Sequence, residues 1–223
     1  MKKITSIIVV LIMVNLSFGQ TQSKTSIDKL LITQLDTIHQ EDQKYRLQIL
    51  EVLEKSKRSE SDNLELISLI ETMNEKDSIN LLKIEKILNE YGWLSSDVIG
   101  EEGNKTLFLV IQHSDLETQL KYLPMMRDAV KIGNLKSKYF ALLEDRIALR
   151  QGKRQIYGSQ IDKDYDTGES YVYPLIEPEK VNERRGKVGL VPIEDYLKRA
   201  VGMTWDVEKH KERTKKIESQ KEE

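Results

Sequence analysis

The residues with most to offer chemically are polar groups that fall on helix faces otherwise given to apolar side chains. Asp42 lies between Ile38 and Tyr45 on one such stripe, and Asp77 stands at heptad spacing from Ile70, Ile84 and Tyr91 on the next. Arg146 interrupts the stripe Leu135, Tyr139, Leu142 and Leu149. An unpaired buried carboxylate or guanidinium costs several kcal/mol, so these groups come paired or line a wet cavity. One arginine and two aspartates on facing stripes can satisfy one another. Each also has a plainer structural account. Asp42 and Arg46 form an i,i+4 pair, Asp77 can cap a helix starting at Ser78, and Arg146 can reach past the core to solvent.

His113 is different in kind. Gln112-His113-Ser114-Asp115 gathers an amide, an imidazole, a hydroxyl and a carboxylate where an apolar helix gives way to a capped one. Imidazole titrates near neutrality, so His113 is a candidate general base with Asp115 or Asp42 fixing its tautomer. Arg146 would then clamp an anionic group. Tyr157, Gln160, Gln112 and Asp77 would position a small polar ligand. The competing account has Ser114 and Asp115 only capping the helix. His39 neighbours Asp42 and His210 sits in a charged tail, so neither adds to the cluster. With no Cys, no His-Glu-x-x-His and no calcium-loop spacing, no metal centre is indicated. A Gly-x-Ser-x-Gly elbow and phosphate-cradling glycine loops are also missing, and nothing names a cofactor.

Those residues need elements to hold them. Ile27, Leu31, Leu35, Ile38, Tyr45, Ile49 and Leu53 keep helical register, and after the polar break Lys57–Ser61 so do Leu66, Ile70, Met73, Leu81, Ile84, Leu88 and Tyr91, up to Gly92. Two long helices with a short link form an antiparallel hairpin. Ser95–Asn104 reads as a loop, with Asn104 capping the run Leu107–Ile111. Ser114-Asp115-Leu116-Glu117 fits a capping box that opens a helix to Val130, bent near Pro124; another helix runs from Leu135 to Arg150. Gln155–Gly158 and Ser170–Tyr173 flank a turn and predict a strand pair. Pro178 and Pro192 open short helices through Arg185 and Val201. Charged residues from Asp206 to Glu223 predict a frayed or disordered tail. The expected fold is mainly α: a helical hairpin and further helices around one core over residues 27–202, with a small β-hairpin near residues 155–175.

The N-terminus speaks to location. Met1-Lys2-Lys3, the apolar run Ile4–Val14 and the small exit Ser17-Phe18-Gly19 have the layout of a signal peptide over residues 1–19. The alternative is a retained anchor, but the run falls short of the ~20 residues a spanning helix needs. The expectation is an exported protein, periplasmic or extracellular, with no membrane span after cleavage. Formal net charge is −2, and −4 once the two leader lysines are gone, which lacks the basic footprint of nucleic-acid binding.

Several of these residues recur in a known arrangement. Gly92-Trp93, Gln112-His113-x-Asp115, Asp145-Arg146 and Gly152-Lys153-x-Gln155-x-Tyr157-Gly158-Ser159-Gln160 appear in that order. The set resembles an uncharacterised bacterial family known only as a domain of unknown function. Glu41-Asp42-Gln43 with Arg46, Asp77 with Asn80, Pro178–Val181, Arg184-Arg185 and Val188-Gly189-Leu190 are similar to the same family, so the resemblance spans roughly Leu30 to Leu197. That family more often has Thr-Gln where this chain has Ser159-Gln160. The resemblance supplies positions and no reaction. It implies that Asp42, Asp77, His113, Arg146, Tyr157 and Gln160 gather in one place. Two functions stay open: a polar site that binds or hydrolyses a small polar or anionic ligand, or a structural or interaction module of the cell envelope whose polar cluster stabilises the fold.

Overall fold

The computed structural model describes residues 29–55, 57–164 and 167–220, so the leader over 1–19 and the polar stretch after it lie outside the described residues. The chain is mainly α-helical with one small antiparallel strand pair, as its periodicity predicts. It divides into two compact units, one up to Val110 and the other from Ile111.

The first unit holds α1 (residues 29–53), α2 (Glu60–Tyr91) and most of α3 (Ser96–His113). A capping box starts α2: Ser59 Oγ accepts from Asp62 N–H at 3.1 Å, and the Asp62 carboxylate accepts from Ser59 N–H at 2.7 Å. Arg46 against Asp77 and Glu41 against Lys83 show that α1 and α2 run antiparallel, the expected hairpin. Helix α2 passes unbroken through Asp77, so that residue caps nothing. Leu35, Ile38, Ile84, Leu88, Ile99 and Leu107 make the buried core.

Ser96–Asn104 is helical, not a loop, but broken once. Gly100 adopts φ +74°, a backbone state that L side chains rarely take, so α3 is two helical stretches meeting there at a kink. Asn104 is therefore buried inside the helix, where Nδ2 donates to Leu94 O at 2.8 Å. A polar residue taken for a cap is instead a buried cross-link.

In the second unit α4 (Leu116–Lys131) packs on α5 (Ser137–Arg150). The N-cap of α4 is Asp115, one residue later than the predicted box, and Ser114 Oγ donates to Ile111 O instead. Strands β1 (Ile161–Lys163) and β2 (Ser170–Val172) pair in the register Ile161 to Val172. Of the first predicted strand, Gln155–Gly158, only Gln155 pairs, in an isolated parallel bridge with Leu175; the N–H groups of Ile156 and Tyr157 serve the Asp145 side chain instead. A 3-10 turn (Pro178–Lys180), α6 (Val181–Lys187) and α7 (Ile193–Val201) follow, around buried Val172, Leu175, Val181, Ile193 and Leu197. The tail expected to be disordered carries α8 (Val207–Ser219). Asp206 caps it through Lys209 N–H at 3.0 Å, and His210 and Thr214, one turn apart, are buried.

Candidate functional site

The loop between α5 and β1 is built around one carboxylate. Asp145 is 0 % exposed on α5, and its Oδ1 accepts from the backbone N–H of Ile156 at 2.6 Å and of Tyr157 at 2.9 Å. Its Oδ2 accepts from Ser159 N–H at 2.9 Å. Successive N–H groups curled round an anion form a nest. Gly158 closes the curl at φ +68°, so close to α7 that a Cβ there would meet Ile193 Cδ1 at 2.8 Å. Burial pushes the Asp145 carboxyl above its usual range, while the three N–H donors pull it back down.

A buried cation secures the other side of the same loop. Arg185, 1 % exposed, donates from Nη1 to Tyr157 O and from Nε to Val191 O, both at 2.6 Å, and stacks over the Tyr196 ring. Tyr196 donates its hydroxyl to Ser159 O at 2.7 Å. The Gln155 side chain bonds both the N–H and the C=O of Gln160. Apart from the Val191 carbonyl, which belongs to the link between α6 and α7, these bonds end on the backbone of that loop. They fix a conformation; they do not present a reactive group.

The predicted site residues divide accordingly. Tyr157 and Gln160 sit in this loop; Tyr157 donates to Glu144 Oε2 at 3.3 Å, and burial with the Glu144 charge pushes its hydroxyl up to about 12. Glu144 is itself raised, chiefly by burial. Gln112 and Arg146 meet through the Gln112 carbonyl, which accepts from Arg146 Nη1 at 3.2 Å and from Gln119 Nε2 at 2.8 Å. Arg150 likewise bonds Ser114 O at 2.6 Å. Arg146 and Arg150 thus serve the open carbonyls at the C-terminus of α3, a position that favours cations. His113 is half-buried on that last turn. Asp115 accepts from Thr118 N–H at 2.8 Å as the cap of α4, and that bond holds its carboxyl below its usual range.

Asp42 and Asp77 belong to the first unit, and the arginine that joins them is Arg46. It forks onto Asp77 at 2.9 and 2.6 Å and lies 3.5 Å from Asp42, which also accepts from Gln43 at 2.6 Å. The i,i+4 account of Asp42 was correct, extended by one carboxylate from the facing helix. Among the described residues no group of three His, Asp or Glu could hold a metal ion. No helix among them is long and apolar enough to cross a membrane.

The chain matches a family of unknown function, DUF6624, over residues 29–205. It belongs to that family. No curated protein and no solved structure matches it. Helix α8 lies beyond the matched residues and supplies one wall of a cavity that the sequence reading missed. This hollow of about 350 Å³ lies between the β-hairpin, the segment after α7, and α8; Tyr171, Val172, Met203, Trp205, His210 and Arg213 line it. Arg213 rests over the Tyr171 ring at 4.4 Å and pairs with Asp164 at 2.5 Å through Nη2, while its buried Nε has no hydrogen-bond partner among the described residues. Trp205 packs against His210 with ring centroids 5.0 Å apart, and burial lowers that imidazole to about 4. A neutral imidazole at pH 7 donates or accepts hydrogen bonds and carries little proton traffic. The available signal was the spacing of His210, Arg213 and Thr214, which puts all three on one helical face.

Proposed function

We propose that the protein is an exported binding protein for a small, flat ligand carrying an acceptor oxygen, held in the cavity between the β-hairpin and α8. One observation carries this reading: the Arg213 guanidinium stands beside aromatic walls in that hollow, over the Tyr171 ring. Tyr171 and Trp205 offer faces for a ring, and a ligand carboxylate or carbonyl pairs with the guanidinium. Export is supported by the basic head, apolar run and small exit of residues 1–19.

The test is thermal unfolding with indole-3-carboxylate, benzoate and, as acceptor-free control, indole. Saturation at about 100 times Kd adds about 2.7 kcal/mol, a rise in Tm of several degrees. The carboxylates are expected to raise Tm and quench tryptophan fluorescence, and Arg213→Met to abolish both responses. No response from any carboxylate, or an equal response from indole, rejects the reading.

A second reading is favoured by the Asp145 nest, whose bonds all end on backbone. There the polar residues serve only to stabilise a structural or interaction module of the cell envelope. His113→Ala separates the two from a hydrolytic site, because both leave any such variant with unaltered ligand response.

A further inference from the structure

Helices α1 and α2 run on past the body of the first unit with a thin seam between them. Among residues 43–55 and 60–79, only Val52 is fully buried, while Tyr45, Ile49, Leu66, Leu69 and Met73 are half-buried. Helices in proteins are held mainly by packing of an apolar face, so a two-helix arm with so thin a seam is weakly supported by itself. Its other apolar residues face solvent. Leu47 is 57 % exposed and Leu64 63 %, and Leu50, Leu53, Ile67 and Ile70 are exposed as well.

These six share one face. Arg46 and Asp77 touch across the hairpin and mark it. From Arg46, Leu50 and Leu53 follow at four and seven residues; Ile70 precedes Asp77 by seven, with Ile67 one turn further on. Both spacings return to the same side of a helix. Near the tip Lys55 meets Asp62, which in an antiparallel hairpin sets Leu53 about level with Leu64 and Leu50 with Ile67, so the two stripes form one continuous patch. Six side chains at these exposures offer roughly 500 Å² of apolar surface, at the upper end of what a monomer shows to water.

We propose that this patch binds the same patch of a second copy, so that two hairpins complete a four-helix bundle. Three features select a second copy. A flat face on an antiparallel helix pair is half of a bundle core, and another such pair supplies the other half. A two-fold axis between Leu50 and Ile67 sets leucine and isoleucine stripes against each other, as an isologous interface requires. Burying the patch on both copies removes about 1,000 Å² of apolar surface before the rim is counted, which reaches the size of a specific interface. Charges of both signs rim it, Lys44 and Glu51 on α1 and Glu71 on α2, so no single-sign field opposes self-association.

Sedimentation equilibrium on the protein recovered from an exporting host tests this, with mass spectrometry recording whether residues 1–19 remain. The expected result is a dimer dissociating on the order of micromolar. The double variant Leu50→Glu, Ile67→Glu is expected to weaken the dimer roughly 100-fold or more with unchanged far-ultraviolet circular dichroism. If that variant misfolds, Leu47→Lys with Leu64→Lys makes the same test at the two most exposed positions of the patch. The chain has no cysteine, so Leu50→Cys introduces a unique thiol. Oxidation should link two copies at concentrations where Ile132→Cys, on an exposed residue of the second unit, stays single. A monomer at about 100 µM, a dimer indifferent to the patch variants, or association only with the leader retained or with phosphatidylcholine vesicles overturns the proposal. None of these outcomes depends on the cavity beside α8, so this inference and the ligand reading fail separately.

Discussion

Two buried carboxylates, one in each unit, find their partners by opposite means. In the first unit Asp42 and its neighbour Asp77 share Arg46, a cation on the same helix as Asp42. In the second unit Asp145 takes three neutral N–H groups from a loop eleven to fourteen residues further on. The first arrangement adjusts two helices that are already packed. The second defines the path of the chain between α5 and β1, since the loop has that shape only while the carboxylate occupies it. Pairing by charge is local and open to salt; pairing by backbone dipoles is built into the topology.

The sharpest way to break this contrast is to empty the nest. Asp145→Ala leaves three buried N–H groups without an acceptor and Arg185 beside a loop with no centre. The expected loss is about 3–5 kcal/mol, a large part of the stability of an ordinary domain. The urea midpoint measures it. Asp145→Asn should lose most of the same amount, because its amide sets a donor against the N–H of Ser159 or of Ile156 and Tyr157. A midpoint shift under about 1 kcal/mol for either variant would falsify the nest as the organiser of the loop.

Acid probes the second unit by another route. Burial holds His210 at about 4 against an ordinary 6.5. Below pH 6.5 the unfolded chain takes up a proton that the folded chain refuses until about pH 4. Stability from this group is therefore complete above 6.5 and lost as pH falls to about 4, by about 3 kcal/mol in all. Arg154 adds to the depression by charge. His210→Asn removes this slope and leaves those of the carboxylates, so the difference between variant and wild type over pH 4–6.5 isolates it. An unchanged slope would mean that α8 does not bury its imidazole.

The loop's geometry can be tested without touching its charge. Gly158→Ala forces a side chain into φ +68° and onto Ile193 Cδ1. The expected cost is about 1–3 kcal/mol from backbone strain and overpacking together. Equilibrium unfolding checks it. A neutral result would show that the loop relaxes freely and that Asp145 follows the loop, not the reverse.

How much of this was legible in the sequence follows from the range of each interaction. The hairpin of α1 and α2 and the helices α4 to α7 were readable because period, caps and prolines are local. Asp42 and Asp77 were visible as polar breaks in apolar stripes. The stripes left two cations open for them, Arg146 and the i,i+4 neighbour Arg46, because a stripe shows a charge and not the direction it faces; the fold puts Arg46 on both. Asp145 left no such mark: on α5 it sits beside Glu144 and Arg146 and reads as one charge among three. Only the fold shows that its acceptors meet Ile156, Tyr157 and Ser159. The aromatic and β-branched run around Tyr157 looked like a strand for the same reason, since nothing local shows that its N–H groups are spoken for. Helix α8 was lost to composition, where thirteen mostly charged residues hid a stripe of His210, Arg213 and Thr214.

The smallest expected effect sharpens the contrast most. Arg46→Met keeps the stem that packs along α1 and removes the fork onto Asp77, leaving two carboxylates facing each other across the hairpin. Asp77 and Arg46 are each about one-fifth exposed, so water recovers part of the loss, and the expected cost is about 1–2 kcal/mol. Salt distinguishes it from the other variants. In about 1 M sodium chloride, where screening acts within ~3 Å, the gap between wild type and Arg46→Met should narrow. The gap for Asp145→Ala should stay, because N–H dipoles sealed from solvent give ions nothing to screen. If salt narrows both gaps equally, the nest is wetter than its zero exposure implies, and the two carboxylates are held by the same physics after all.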